Sequence, residues 1–161
     1  MERNSWLAIL LFATWIPTGA LGQPAVVAEI TPTGKLRVAM NASTPVLLTR
    51  TADGKVVGGV AYEIGRFIAE KIGVPFELTP YVGSTAYTQS FGKGEWDVGF
   101  GARTPLVADK ADFIVDVVLT DYVFVAAPGR KFADASQADR LGVKIAVGEN
   151  SSSEQFLRQA L

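Results

Sequence analysis

The sequence predicts an α/β domain built on parallel strands. Three observations carry this. Segments 35–40, 76–81 and 96–100 each have the apolar pattern of a short strand. Two stretches of helical character, 60–72 and 84–91, lie between them. The order strand–helix–strand–helix–strand fills about 65 residues, and a helix between two strands brings them side by side and parallel.

Each element has its own signal. In Lys35–Met40 the apolar residues Leu36, Val38 and Met40 alternate, as in a half-buried strand. Asn41–Pro45 is small and polar and reads as a loop. Asp53-Gly54 is a hairpin-type turn between 47–50 and 55–57. The clearest helix follows, with Val60, Ile64, Phe67, Ile68 and Ile72 on one stripe. Glu63, Arg66, Glu70 and Lys71 take the other side, and Tyr62 and Phe67 are expected to pack. Gly73 stops this helix, and Pro75 follows. Phe76–Tyr81 alternates as a strand. Gly83 and Ser84 open a short helix that Gly92-Lys-Gly94 ends. Trp96–Phe100 is the third strand, with Trp96 and Phe100 in the core or at its rim and Asp97 bonding locally.

Beyond Pro105 the pattern changes. Residues 111–118 are apolar and β-branched, and Tyr122–Ala126 reads as a strong strand. Pro128-Gly129 turns the chain, 133–141 is short and polar, and Val143–Val147 is another strand. Ser151 opens a helix carrying Phe156, Leu157 and Ala160, and Ser151 with Glu154 forms a capping box. A second α/β unit is thus started without further strands to pair, which leaves Phe156, Leu157 and Leu161 without a core. The expected architecture is one complete α/β lobe plus the start of a second, truncated one.

Composition bounds the chemistry. The chain has 161 residues, 15 Lys+Arg against 16 Asp+Glu, no His and no Cys, and is 48% hydrophobic. Near-zero net charge argues against a nucleic-acid binder. The apolar content argues against disorder. Without Cys there is no disulfide, no thiolate zinc site and no Cys-linked lipid anchor. Without His there is no Ser-His-Asp triad, no histidine-ligated metal and no imidazole for proton transfer. No metal, no cofactor and no catalytic residue are expected.

The N-terminus reads as an address. A polar head, Met1–Ser5, precedes the apolar run Trp6–Ile16. As a helix this run rises only about 16 Å, too short to cross a bilayer core. Pro17 and Gly19 break it, and Ala20-Leu21-Gly22 places small residues before Gln23. Residues 1–22 therefore read as a secretory signal peptide, with cleavage after Ala28 as a second option and a buried N-terminal helix as the competing reading. Residues 23–33, with Pro24 and Pro32, read as a loose leader. The expected mature protein is periplasmic and monomeric.

Several motifs in order resemble a known family. They are Gly34-Lys-Leu-Arg-Val-Ala, Asp53-Gly-Lys-Val-Val-Gly-Gly59, Tyr62-Glu-Ile-Gly-Arg-Phe-Ile-Ala-Glu-Lys-Ile-Gly73 and Gly94-Glu-Trp-Asp-Val98. Arg103-Thr-Pro105, Ala111-Asp-Phe113, Tyr122-Val-Phe-Val125 and Val143-Lys-Ile-Ala-Val147 follow. From about Gly34 onward the chain resembles the polar-amino-acid type of extracellular solute-binding protein, the ligand-capturing subunit of ABC importers. The resemblance implies a periplasmic-binding-protein-like fold with two α/β lobes closing on a small anionic or zwitterionic solute. It implies lobe one over 34–117, a hinge crossover over 118–126, and an incomplete lobe two over 127–161. Its partners would be the solute and a membrane permease. An enzyme on the same fold, of prephenate or arogenate dehydratase type, and a receptor's ligand-sensing domain are the alternatives.

In open α/β sheets ligands sit beyond the carboxyl ends of the strands. Three loops answer to that position: 41–44, 99–105 and 148–152. The resemblance points to Asn41 and Thr44 in the first, where the family has a polar or acidic residue and then an aromatic. In the second, Arg103 has the planar fork of a carboxylate clamp. It stands just before Thr104-Pro105, while the family's clamp position is Val107. Glu149 is the expected acidic residue at the cleft mouth. In the third, Ser151 and Ser152 match the family's Ser/Thr-rich turn at a helix start, where free N–H groups and the helix dipole attract anions.

Overall fold

The computed structural model describes residues 25–160, so the signal-peptide segment 1–22 and Leu161 lie outside the described residues. The chain begins with a short helix, α1 (Ala25–Ile30). This corrects the loose leader expected there. Val27 reaches the core, and the buried Thr31 hydroxyl closes the helix end by donating to the Val27 carbonyl at 2.6 Å.

The core is organised by β1 (Leu36–Asn41). It is the middle strand of a three-stranded parallel sheet, between β4 (Phe76–Tyr81) and β5 (Val98–Phe100). Val38 is opposite Leu78 on one side and Val98 on the other. Leu36, Val38, Ala39 and Met40 are all inaccessible to solvent. β1 is therefore covered on both faces rather than half-buried, as parallel sheets with helical crossovers require. Burying each of Leu36, Val38 and Met40 contributes about 1.5–3 kcal/mol.

Between β1 and β4 lie a small antiparallel pair, β2 (Thr49–Arg50) with β3 (Val56–Gly58), and the crossover helix α2 (Val60–Ile72). The turn joining β2 to β3 is the expected one. The Thr51 N–H donates to the Lys55 carbonyl at 2.9 Å, and the Thr51 hydroxyl reaches Asp53. Gly59 caps α2 with φ 121°, and a Cβ there would lie 2.4 Å from the Leu47 carbonyl oxygen, so only glycine fits.

The buried face of α2 is rotated from the apolar stripe. Ala61, Gly65 and Ala69 are its buried residues, with Ile64, Ile68 and Ile72 half-buried, whereas Val60 and Phe67 face solvent. The reason is close approach. A Cβ on Gly65 would stand 3.0 Å from Val38 Cγ1 and 3.1 Å from Phe76 Cε2, so the small residues set the helix directly on the sheet. Tyr62 packs as expected, edge-on to Phe76 at 5.4 Å. Phe67 does not; it is 56% exposed, with the Lys71 ammonium 5.2 Å over its ring. Gly73 ends the helix in the left-handed conformation, φ 72°.

The second crossover is α3 (Ser84–Ser90), which packs on β1 and β4. An ion pair then holds the start of β5 against β1. The Asp97 carboxylate accepts from the Arg37 main-chain N–H at 2.8 Å and from its guanidinium Nε at 3.1 Å and Nη2 at 2.6 Å. The Asp97 N–H donates back to the Arg37 carbonyl at 2.9 Å. Asp97 thus bonds across sixty residues and not locally.

The sequence and structure part company beyond residue 110. The strands expected at 122–126 and 143–147 are not formed; both segments run without a main-chain ladder among the described residues. Apolar, β-branched composition favours a strand only where a neighbouring strand supplies hydrogen bonds and cover. Here Ile114, Leu119, Val123 and Val125 are exposed instead. A 3-10 turn, Ala135–Ala138, is capped by the Asp134 side chain, which accepts from the Ser136 N–H. The last helix, α4 (Ser152–Ala160), forms as expected. Its Phe156 is half exposed and stacks on Tyr122, centroids 5.5 Å apart.

Candidate functional site

A cleft of about 720 Å³ opens where the sheet's carboxyl ends meet the start of α4. Asn41, Thr44, Arg103, Thr104, Ser151 and Ser152 all line it. Local structure explains how each is placed. The Asn41 side-chain oxygen accepts from the Ser43 N–H at 2.9 Å, and its amide donates to the Ser84 hydroxyl at 3.3 Å. Part of its capacity to accept from an ammonium group is therefore already used. Ser43 in turn accepts from the Gly83 N–H at 3.0 Å, which ties the loop after β1 to the start of α3. The Thr44 carbonyl accepts from the Leu47 and Leu48 N–H groups at 3.0 and 3.2 Å, leaving its side chain at the cleft wall.

After β5 the chain turns at Thr104, whose carbonyl accepts from Val107 at 3.1 Å and Ala108 at 2.9 Å. This turn drives Val107 inward, to 3% exposure, so that position offers apolar wall and no cation. Arg103, just before the turn, is exposed. Its guanidinium has no hydrogen bond or ion pair with the described residues and lies over the Phe113 ring at 5.6 Å.

At α4 the Ser151 hydroxyl accepts from the Glu154 N–H at 3.1 Å. The reciprocal half of the capping box is shifted by one residue, with Glu154 Oε2 accepting from the Asn150 N–H at 2.6 Å. Asn150 has φ 55°, and its side chain donates to the Thr85 hydroxyl at 3.2 Å, joining α4's loop to α3. The main-chain N–H groups of Ser152 and Ser153 have no partner among the described residues, and both residues line the cleft. Such free donors at a helix start suit an anion.

The Glu154 carboxyl is held below the ordinary carboxylate range, first by the hydrogen bond from Arg158 and then by the Asn150 N–H. A lowered folded-state pKa adds stability above the ordinary carboxylate range, and that stability is lost as pH falls through the lowered value. Acid titration is therefore expected to fray α4's first turn in that window, read from the Asn150 amide resonance. Glu154→Gln should flatten this acid step. An unchanged step in that variant would show that another group controls the cap.

The sequence missed one wall of the cleft. Ser84, Tyr87, Thr88 and Phe91 line it from α3 and its C-cap, at helical i, i+3, i+4 and i+7 spacing, which is the signal that marks them. Tyr87 lies against β5 and the residue that follows it; a Cβ on Gly99 would stand 2.8 Å from its hydroxyl oxygen, and one on Gly101 2.6 Å from its Cε1. Its buried hydroxyl has no partner among the described residues, and burial pushes its pKa well above the ordinary tyrosine value. Phe113, Asp116 and Tyr122 form another part of the wall. Asp116, not Glu149, is the acidic residue lining the cleft; the Glu149 carboxylate stands near the Thr85 hydroxyl instead. Arg103 and Asp116 are the only charged side chains among the described lining residues.

Among the described residues no helix is long and apolar enough to cross a membrane, and no group of three or more potential metal ligands is gathered.

No family model and no curated protein sequence matches the chain. Among solved structures it is similar to an ancestral cyclohexadienyl dehydratase, with 27% identity over 54% of this chain and 36% of that one, TM-score 0.46. It is also similar to an ancestral cationic amino acid solute-binding protein, with 23% identity over 55% of this chain and 39% of that one, TM-score 0.46. A third is the L-cystine solute receptor of Neisseria gonorrhoeae in its unliganded open conformation, with 24% identity over 47% of this chain and 32% of that one, TM-score 0.38. The chain spans about a third of the length of these structures. Each likeness is of a part of this chain to a part of the other.

Proposed function

We propose that this chain captures a small anionic or zwitterionic solute, an amino acid or related organic acid, by binding alone and without chemistry. The observation that carries this reading is the gathering of three separate loops on one cleft. They bring Asn41 and Thr44, Arg103 and Thr104, and Ser151 and Ser152 to its walls. Arg103 would take the carboxylate with its planar fork, and the free N–H groups at the start of α4 would share the charge. Asp116 gives an ammonium group a counter-charge, which suits a zwitterion.

In this reading the solute is delivered to the permease of an ABC importer, and residues 1–22 direct export to the periplasm. Residues 34–117 form the first lobe, 118–126 the crossover, and 127–161 the opening of a second lobe. The protein acts as a monomer.

Calorimetric titration of the chain against amino acids, dicarboxylates and aromatic acids tests the proposal. Saturable one-to-one binding of a carboxylate, with its neutral amide binding more weakly, is the expected result. Preferred binding of the amide, or of a plain cation, would exclude this use of the cleft.

A further inference from the structure

We propose that Phe113 is a positioning residue for Arg103, holding the guanidinium at the cleft by its ring face. The inference rests on reading Arg103 as the partner of a ligand carboxylate. The guanidinium lies 5.6 Å from the Phe113 ring centroid, inside the range of a cation–π contact. Among the described residues two other such contacts exist, Arg66 on Tyr62 and Lys71 on Phe67, and both are between neighbours four apart along the α2 surface. The Arg103 contact is of another kind. It joins the loop after β5 to a segment ten residues later, and both residues line the cleft.

The chemistry follows from what Arg103 lacks. No hydrogen bond or ion pair with the described residues fixes its guanidinium, so its five N–H donors remain available. An exposed arginine without a restraint samples many rotamers, and ordering it on binding costs side-chain entropy. A ring beneath the guanidinium restrains the plane without using a donor. A carboxylate partner would hold Arg103 as well, but would neutralise it and compete with the ligand. Phe113 keeps the fork both aimed and charged.

Two measurements test this. The first needs no ligand. In the chain labelled with ¹⁵N-arginine, the ring current of Phe113 is expected to shift the Arg103 Nε–H resonance, assigned by its loss in Arg103→Lys. Phe113→Leu should move that resonance to the position of an unrestrained arginine, while Phe113→Tyr and Phe113→Trp keep it displaced. A resonance that Phe113→Leu does not move would overturn the proposal.

The second measurement is a double-mutant cycle read by calorimetry with L-phenylalanine and its neutral amide. Phe113→Leu is expected to weaken L-phenylalanine binding about two- to fivefold. Phe113→Trp should restore it, and Phe113→Leu should have no further effect in an Arg103→Ala background. An equal loss in that background would mean that Phe113 meets the ligand itself, which contradicts a positioning role. If Arg103→Ala leaves L-phenylalanine binding unchanged, the anion-site reading fails, and the resonance test still decides whether Phe113 holds the guanidinium.

Discussion

Arg103→Ala is expected to weaken binding of a carboxylate-bearing solute by about ten- to a hundredfold. A hydrogen bond to a charged partner contributes about 1.5–3 kcal/mol, and every 1.4 kcal/mol is about tenfold in affinity. The effect should fall on the acid and spare its amide, since Arg103 is the only cationic side chain among the described lining residues. Arg103→Lys should recover part of the loss, because an ammonium keeps the charge but not the two-pronged geometry. Folding should be untouched in both variants, because the side chain is exposed and has no hydrogen bond or ion pair with the described residues. Calorimetry with acid and amide on all three proteins checks this. Equal losses for acid and amide would show that Arg103 does not read the carboxylate.

Asp97→Ala is expected to cost about 3 kcal/mol of stability, the scale for removing one member of a buried ion pair. Its side chain is 4% exposed and the Arg37 side chain 18%. Without the carboxylate, the Arg37 guanidinium keeps only the Gly94 carbonyl, at 2.8 Å, and the Arg37 N–H loses its acceptor. Domains commonly have about 5–15 kcal/mol in total, so the loss is a large share. The pair sits where β1 and β5 enter the sheet, and both strands lead to the cleft loops. Arg37→Met with Asp97→Leu should restore only part of the stability, since apolar residues replace the ion pair at little cost but the main-chain N–H of residue 37 still lacks the acceptor that Asp97 supplied. Urea denaturation of the three proteins measures it. A loss below about 0.5 kcal/mol for Asp97→Ala, the range of ordinary surface changes, would contradict a structural role for the pair.

The elements between residues 35 and 100 were legible because their signals are local. Alternation marks β1 and β4, the Gly73 C-cap ends α2, and two helical crossovers imply parallel pairing. The buried face of α2 was less legible. Counting apolar residues selects Phe67, while the packing selects Gly65, because closeness to Val38 is worth more than one exposed ring. Asp97 was misjudged for a related reason: its partner Arg37 is adjacent only once the sheet is assembled. Segments 122–126 and 143–147 have strand composition, but composition cannot supply a neighbouring strand. The strand-end rule pointed to the loops after β1 and β5, which both reach the cleft, whereas 150–153 line it although the strand expected before them is not formed. It could not find Tyr87, Phe113 or Asp116, which reach the cleft from α3 and from an irregular segment.

The central claim is that three loops, distant in sequence, form one anion site. Amide chemical-shift mapping during titration with the best-binding acid tests this most directly. The account predicts that amides in 41–44, 101–104 and 151–153 shift together with one dissociation constant, and that Ser152 and Ser153 are displaced as new hydrogen-bond donors. Shifts confined to one loop, or centred on residues outside the cleft, would contradict it.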